Sequence, residues 1–259
     1  MRGTRRTTAV KLLVFGATGG TGRALVEQAL EQGHVVTAFA RDPAQVRRAH
    51  PNLTVAPGNM LDRGSVEAAV KGQDTVLSAL GIRPPVGPIV LLTFAFQILA
   101  RVMALSGPAG WSVRIGVPVL ALLILCRRST ALSDGTKNIV QAMEKHGVRR
   151  LICESSLGVG DSRGRLGILY NLTLVPLFLR NIFADKAVQE QIIQASGLDW
   201  VIVRPTSLTN GRRRNVYRAG MDIGHWFFPT KISRADVADF MLKQLTDDTY
   251  LRKTPGVSY

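Results

Sequence analysis

Short apolar runs alternate with amphipathic stretches along the first third of the chain. Residues 10–15 (VKLLVF) are rich in apolar side chains, as expected of a strand covered on both faces of a parallel sheet. A glycine-rich turn occupies 16–22. Residues 23–32 then carry Ala24, Leu25, Ala29 and Leu30 at helical spacing and stop at Gly33. Further strands are predicted over 35–40, 53–56 and 75–80. Between the last two, a helix is predicted that Asp62 caps, that runs through Val70 and that closes at Gly72.

The rhythm breaks at residue 83. Residues 83–128 form an apolar, acid-free block with a turn-like centre, Ser106-Gly107-Pro108-Ala109-Gly110. Regular order resumes with a helix predicted from an N-cap at Asp134 to His146, ended by Gly147. A fifth strand follows at 150–154, a helix at 184–195 ended by Gly197, and a sixth strand at 200–204 stopped by Pro205. Ser233 and Asp236 have capping-box spacing for a last helix to Leu245, with Asp where Glu or Gln is usual. There is no internal repeat. The alternation predicts an α/β fold: one domain over 1–259 built on a doubly wound parallel sheet, with an apolar helical hairpin inserted at 83–130 after the fourth strand.

Composition changes this picture little. With 46% apolar and 20% charged residues over 259 positions, wholesale disorder is excluded and a large core is affordable. Two cysteines, Cys126 and Cys153, are too few for a disulfide scaffold and suit a reducing compartment. The net charge of +15 suggests nucleic acid or an anionic membrane until its location is considered. Arg2, Arg5, Arg6 and Lys11, then the arginines of 83–128, then Arg212, Arg213, Arg214 and Arg218 lie in three acid-free stretches that hold nearly all of the excess. The charge belongs to a tail, the insert and one loop, so no nucleic acid partner is expected. The apolar run at 10–15 is too short for the core of a secretory signal and runs straight into glycines, so a cytoplasmic location is expected.

The candidate chemistry lies first in Gly16-Ala17-Thr18-Gly19-Gly20-Thr21-Gly22-Arg23. Gly16 would make the tight turn out of the first strand, Gly19 would admit a pyrophosphate against the backbone, and Gly22 would let the helix pack close to the sheet. The free N–H groups and dipole of the helix N-terminus would hold the anion. A glycine triplet alone is weak evidence. This one follows a predicted strand and opens a predicted helix, which is the context the dinucleotide fingerprint requires. At the end of the second strand, where an acid commonly binds the ribose of NAD, the sequence is Ala40-Arg41-Asp42-Pro43. Arg41 can pair with a 2′-phosphate, Arg23 is a second candidate, and Asp42 is the counter-argument because it can reach a ribose. The balance favours NADP over NAD.

At this point VFGATGGTG, ARDP, SDGTKNIVQAMEKHGVRRLICESS and SGLDWVIVRP resemble the atypical short-chain dehydrogenase/reductase superfamily. Within it the chain is similar to the single-domain NAD(P)H-binding proteins, which include the NmrA-like and biliverdin/flavin reductase-like members. The resemblance covers about residues 10–82 and 133–245. It implies that Gly16, Thr18, Gly19, Thr21 and Gly22 hold the pyrophosphate and that Arg41 takes the 2′-phosphate. It implies that Met60, Leu61 and Asp62 flank the adenine and that Ala79, Leu80 and Gly81 lie beside the ribose. Ser155 and Ser156 would lie near the nicotinamide, under a loop made by Pro205, Thr206 and Ser207.

One departure matters. Many relatives carry a catalytic Tyr-x-x-x-Lys after strand five. Here Lys186 stands in a suitable place, but the residue four before it is Ile182, and Tyr170 is too far upstream. The implied activity is therefore direct hydride transfer to an acceptor that needs little protein acid/base help, with the protein supplying position. Ser155 or Ser156 would donate a hydrogen bond to that acceptor, or else bond backbone where the strand ends. Lys186 is read as either a catalytic candidate or a solvated helix lysine. The four histidines have no metal-ligand spacing, so no metal is expected.

The insert has three readings. Its two apolar runs are at or below the ~20 residues that span a bilayer, and arginines interrupt them. It would rest on a membrane through residues 86–128, fold over the cofactor as a lid, or bury against another subunit. Each outcome suits an apolar small-molecule substrate such as a flavin, a quinone or a lipid-like carbonyl compound. The membrane reading would place the protein at the inner face of a membrane. Oligomeric state stays open, and Arg212–Arg214 are read as a solvated loop or a contact for phosphate or an acidic partner. Rival functions are a non-catalytic NAD(P)-binding regulator, a membrane-surface assembly factor, and a nucleotide-sugar isomerase or epimerase, the last disfavoured by the missing tyrosine.

Overall fold

The structure, a computed structural model, describes residues 9–81, 130–167, 180–224 and 230–259. Six parallel strands form its centre: β1 (Lys11–Phe15), β2 (Val35–Ala40), β3 (Leu53–Pro57), β4 (Thr75–Ser78), β5 (Arg150–Glu154) and β6 (Asp199–Pro205). Three-residue strands β8 (Arg218–Gly220) and β10 (Gly256–Ser258) extend this sheet, while β7 (Ser207–Thr209) and β9 (Lys231–Ser233) pair with each other. The main sheet runs β3-β2-β1-β4-β5-β6-β10-β8, with only β8 antiparallel to its neighbour. The strand order reverses between β1 and β4, so a crevice is expected outside their carboxyl ends.

Side-chain alternation assigns the two faces. Leu12 and Val14 of β1 point toward α1 (Gly20–Glu31) and the last helix, α5 (Arg234–Lys243), and join a cluster with Leu25, Ala29, Val237 and Met241. Leu13 and Phe15 point the other way, toward α2 (Arg63–Val70), α3 (Ala131–His146) and α4 (Arg180–Ala195). There they meet Val66, Ile139, Met143 and Ile193. Both faces of the central strands are covered, which is why these strands read as unbroken apolar runs.

Several predicted boundaries need correction. Asp134 lies within the first turn of α3, not at its N-cap; Thr130 holds that position without a side-chain bond. The capping carboxylate comes from another helix: Asp185 of α4 accepts from the Leu132 and Ser133 N–H groups at 3.0 and 3.1 Å. Tertiary contact supplies here what local sequence was expected to supply. The capping box on α5 is half formed. Ser233 Oγ accepts from the Asp236 N–H, but the Ser233 N–H donates to Tyr259 Oη, not to Asp236. β4 stops at Ser78 and β6 includes Pro205. The insert at 83–130, apart from Thr130, lies outside the described residues, as do Cys126, Tyr170 and His225. Among the described residues, no helix is long and apolar enough to cross a membrane.

Candidate active site at the carboxyl edge of the sheet

The sheet brings the predicted residues to one edge. Arg41 follows β2, Met60 and Leu61 follow β3, and Gly16 follows β1. Ala79 to Gly81 follow β4, Ser155 and Ser156 follow β5, and Thr206 and Ser207 follow β6. The registers Phe15↔Ser78 and Ser78↔Cys153 place neighbouring strand ends level with one another.

The glycine loop is shaped by close backbone approaches. Gly16 has φ +77°, and a Cβ there would collide with the Ala79 carbonyl. A Cβ on Gly22 would collide with the Gly16 carbonyl, so the helix can pack on its own loop only without a side chain. Gly19, the N-cap of α1, has no side chain to cap with, and no acid stands in the first turn. The first-turn N–H groups are therefore left to an external acceptor, which makes the positive end of α1 a fit for a pyrophosphate. The Thr21 hydroxyl faces inward: it is buried and donates to Glu154 Oε1 at 3.0 Å, which leaves only the Thr21 main chain to meet a phosphate.

Around this cradle, Arg41 is exposed, while Asp42 turns its carboxylate to the Ala44 N–H and Gln45 Nε2. Arg23 borders a cavity of about 400 Å³ shared with Ala17, Val26, Val46, Arg47 and Arg48. Sequence reasoning passed over Arg47 and Arg48; Arg48 pairs with Glu27 at 2.7 Å. Leu61 is 49% exposed, an apolar surface at the end of β3. Asp62 caps α2 by accepting from the Gly64 and Ser65 N–H groups, and the Ser65 hydrogen bond first of all holds its carboxyl below the usual range. Met60 is tied down through its carbonyl by Asn138 Nδ2 at 3.0 Å. Thr206 is buried and its hydroxyl bonds Ser258 Oγ at 3.2 Å.

At the end of β5 one serine follows the backbone reading and the other follows neither. Ser156 Oγ donates to the Leu157 carbonyl at 3.2 Å. Ser155 Oγ donates at 2.6 Å to a buried carboxylate, Glu190 Oε1, rather than to backbone. Glu190 in turn accepts from Arg204 Nε at 3.1 Å and Nη2 at 2.6 Å. Arg204 Nη1 reaches the exposed carboxylate of Asp161 at 2.5 Å. Lys186 is not a solvated helix lysine. It is 8% exposed, with Nζ 3.5 Å from the Glu154 carbonyl. Glu154 itself is fully buried, and burial pushes its carboxyl up against the opposing pull of Lys186, Thr21 and Arg234. Burial likewise pushes the Cys153 thiol up to about 12, which leaves it an inert packing residue. The sequence held one signal for Glu154, an acid closing a strand otherwise read as buried. Asp185, Glu190 and Arg204 gave none. Among the described residues, no three His, Cys, Asp or Glu side chains converge as a metal-ligand set.

Comparison with known proteins agrees with this fold. Among curated proteins, the chain is 30% identical over 210 residues to an uncharacterised chloroplast protein of Arabidopsis thaliana, covering 77% of this chain and 60% of that one. The chain thus spans about three fifths of that relative's length. Among solved structures it is similar to the Escherichia coli O157:H7 anaerobilin reductase ChuY, with a TM-score of 0.67, 19% identity and 96% of each chain covered. A short-chain dehydrogenase/reductase from Veillonella parvula, solved in complex with NADP, also has a TM-score of 0.67, with 17% identity and 96% and 94% of the two chains covered. At these identities the two structures establish the shared fold. The family model described as NAD(P)H-binding matches residues 16–248, from the glycine loop to the turn beyond α5, and the chain belongs to that family.

Proposed function

We propose that this protein is an NADPH-dependent reductase that passes hydride directly to an apolar, conjugated acceptor of the flavin or quinone kind. The observation that carries the reading is the α1 N-terminus, glycine-built and without a side-chain cap, at the carboxyl edge where β1, β4 and β5 end. The main chain of 19–22 would hold the pyrophosphate. Arg41, with Arg23 beside it, would pair with the 2′-phosphate, and Leu61 would cover the adenine. NADPH supplies the hydride when bound. The NADP complex of the Veillonella parvula protein and the likeness to the anaerobilin reductase ChuY support this choice of cofactor and reaction class.

Among the described residues, no side chain near the end of β5 is placed as the usual phenol acid. Ile182 occupies the tyrosine position, the Ser155 and Ser156 hydrogens are committed to Glu190 and the Leu157 carbonyl, and Lys186 lies against backbone. An acceptor that takes its proton from water fits such a site better than a simple ketone does. The same observation supports a second reading, a dinucleotide-binding regulator without turnover.

The test is NADPH and NADH consumption by the purified protein against a panel of flavins and quinones. Turnover with NADPH preferred, and a preference lost in Arg41→Ala, is the expected result. Tight dinucleotide binding with no turnover on any acceptor would overturn the reductase and favour the regulator. In that event the insert at 83–130 becomes the place to seek partners.

A further inference from the structure

We propose that Glu154 is a positioning residue for the dinucleotide: through Thr21 it fixes the first turn of α1, and it takes up a proton when the pyrophosphate binds. The inference rests on the dinucleotide-binding reading above and extends it to a residue to which the resemblance assigns no role.

Glu154 closes β5, and its side chain falls on the face occupied by α1 and α5. Its neighbour Cys153 packs with the opposite cluster. Its Oε1 accepts from the hydroxyl of Thr21, the second residue of α1. A buried carboxylate is thereby fastened to the helix terminus whose N–H groups would receive the ligand. The positive end of α1 attracts both anions, and they stand on opposite sides of one helical turn. Inside the protein such like charges interact far more strongly than in water.

The charges around Glu154 show how the carboxylate is tolerated without the ligand. From α4, Lys186 reaches the Glu154 carbonyl and draws the carboxyl toward its charged form. From α5, the Arg234 side chain lies over Gly20, where a Cβ would strike it, and acts in the same sense. Arg234 is itself held by Asn210 at 2.7 Å. Glu190, the other acid near this strand end, has its like charge offset by its pairing with Arg204. Burial still outweighs these helpers. A pyrophosphate on α1 would draw on Arg234 as well and add negative charge, so the fraction of the carboxyl that is ionised without the ligand takes up protons from solvent. The Thr21 hydroxyl keeps its acceptor, because Oε1 remains an oxygen with lone pairs when the proton sits on Oε2.

Isothermal titration of NADPH and of NADH, in buffers of differing ionisation heat between about pH 5 and pH 9, reads the proton directly. The 2′-phosphate of NADPH titrates in this range, so the quantity of interest is the difference between the protein and Glu154→Gln. The protein is expected to take up protons that the variant does not. Its affinity should fall with rising pH by up to about tenfold per unit more than that of the variant, the limit for one linked proton. Thr21→Val keeps the charge and loses the tether. It should bind more weakly at every pH yet retain the uptake, whereas a purely structural role for Glu154 would move affinity and leave the proton count alone. Equal proton counts and equal slopes in the protein and Glu154→Gln overturn the proposal while dinucleotide binding stands. Failure of both nucleotides to bind the protein overturns the dinucleotide reading and this inference with it.

Discussion

The two halves of the candidate site are built from different materials. The half contributed by β1, β2 and β3 is made of backbone: glycines that let chain cross chain, a bare helix terminus, and a cap on α2 supplied by an adjacent Asp62. The half contributed by β5, β6 and α4 is made of buried charge: Glu154 with Lys186, and Glu190 with Arg204. In the first, sequence neighbours do the work. In the second, the paired groups lie 14 and 32 residues apart along the chain. Substitutions should therefore fail differently, the first half losing ligand and the second losing fold.

The largest effect expected is in the second half. Glu190→Ala leaves a guanidinium that is 3% exposed with only the exposed Asp161 carboxylate as its partner, and releases Ser155 as well. Breaking a buried pair from one side costs about 3–5 kcal/mol, so chemical denaturation should show a loss of that order. Replacing both partners with apolar residues, Glu190→Leu with Arg204→Met, should recover much of it. Equal losses in the single and double variants would show that this half is held by something other than charge pairing.

Next in size is Gly22→Ala. Its new methyl meets the Gly16 carbonyl, a backbone atom that cannot swing aside. Overpacking of this kind costs about 1–3 kcal/mol, but the larger consequence falls on the ligand, because loop and helix must part at the N–H groups meant for the phosphates. Dinucleotide affinity should drop while a folded protein remains. A variant that binds normally would remove the glycine loop from the site.

Ser233→Ala tests the seam between the halves. Ser233 caps α5, whose first residue is Arg234, and Arg234 lies over Gly20. Loss of such a cap costs about 1 kcal/mol. Thermal melting should register it, with a smaller fall in dinucleotide affinity than Gly22→Ala produces.

The same contrast explains what could be read from the sequence. The succession of six strands and the Asp62 cap depend on residues close in the chain, and the sequence predicts them within two residues; the glycine turn, expected over 16–22, ends at Gly19 because α1 already begins at Gly20. The cap expected at Asp134 is not there, because the carboxylate that caps α3 belongs to Asp185, about fifty residues on. For Lys186 the sequence offers only a solvated or a catalytic lysine, because helical spacing alone does not reveal that β5 ends beneath it. β8 and β10 are three-residue strands, too short to show a period, and they form only against a sheet already in place. Local patterns announced the part of the site that holds a phosphate. The part that sets charge around it became visible only once the strands were aligned.

The smallest effect, and the sharpest for the comparison, is expected at Asp62. Its carboxylate accepts from the Gly64 and Ser65 N–H groups and is exposed, so its worth to the fold is slight. The family resemblance places it beside the adenine, while the structure gives it a capping role. Asparagine serves an N-cap about as well as aspartate does, and alanine does not. If Asp62 acts only through the cap, Asp62→Asn should match the parent protein in melting and in dinucleotide affinity, and Asp62→Ala should lower both slightly and together. If the carboxylate itself meets the nucleotide, Asp62→Asn will melt normally and bind differently. The second outcome would give the first half of the site one charged side chain of its own. The division between a backbone half and a charged half would then hold for the fold but not for ligand recognition.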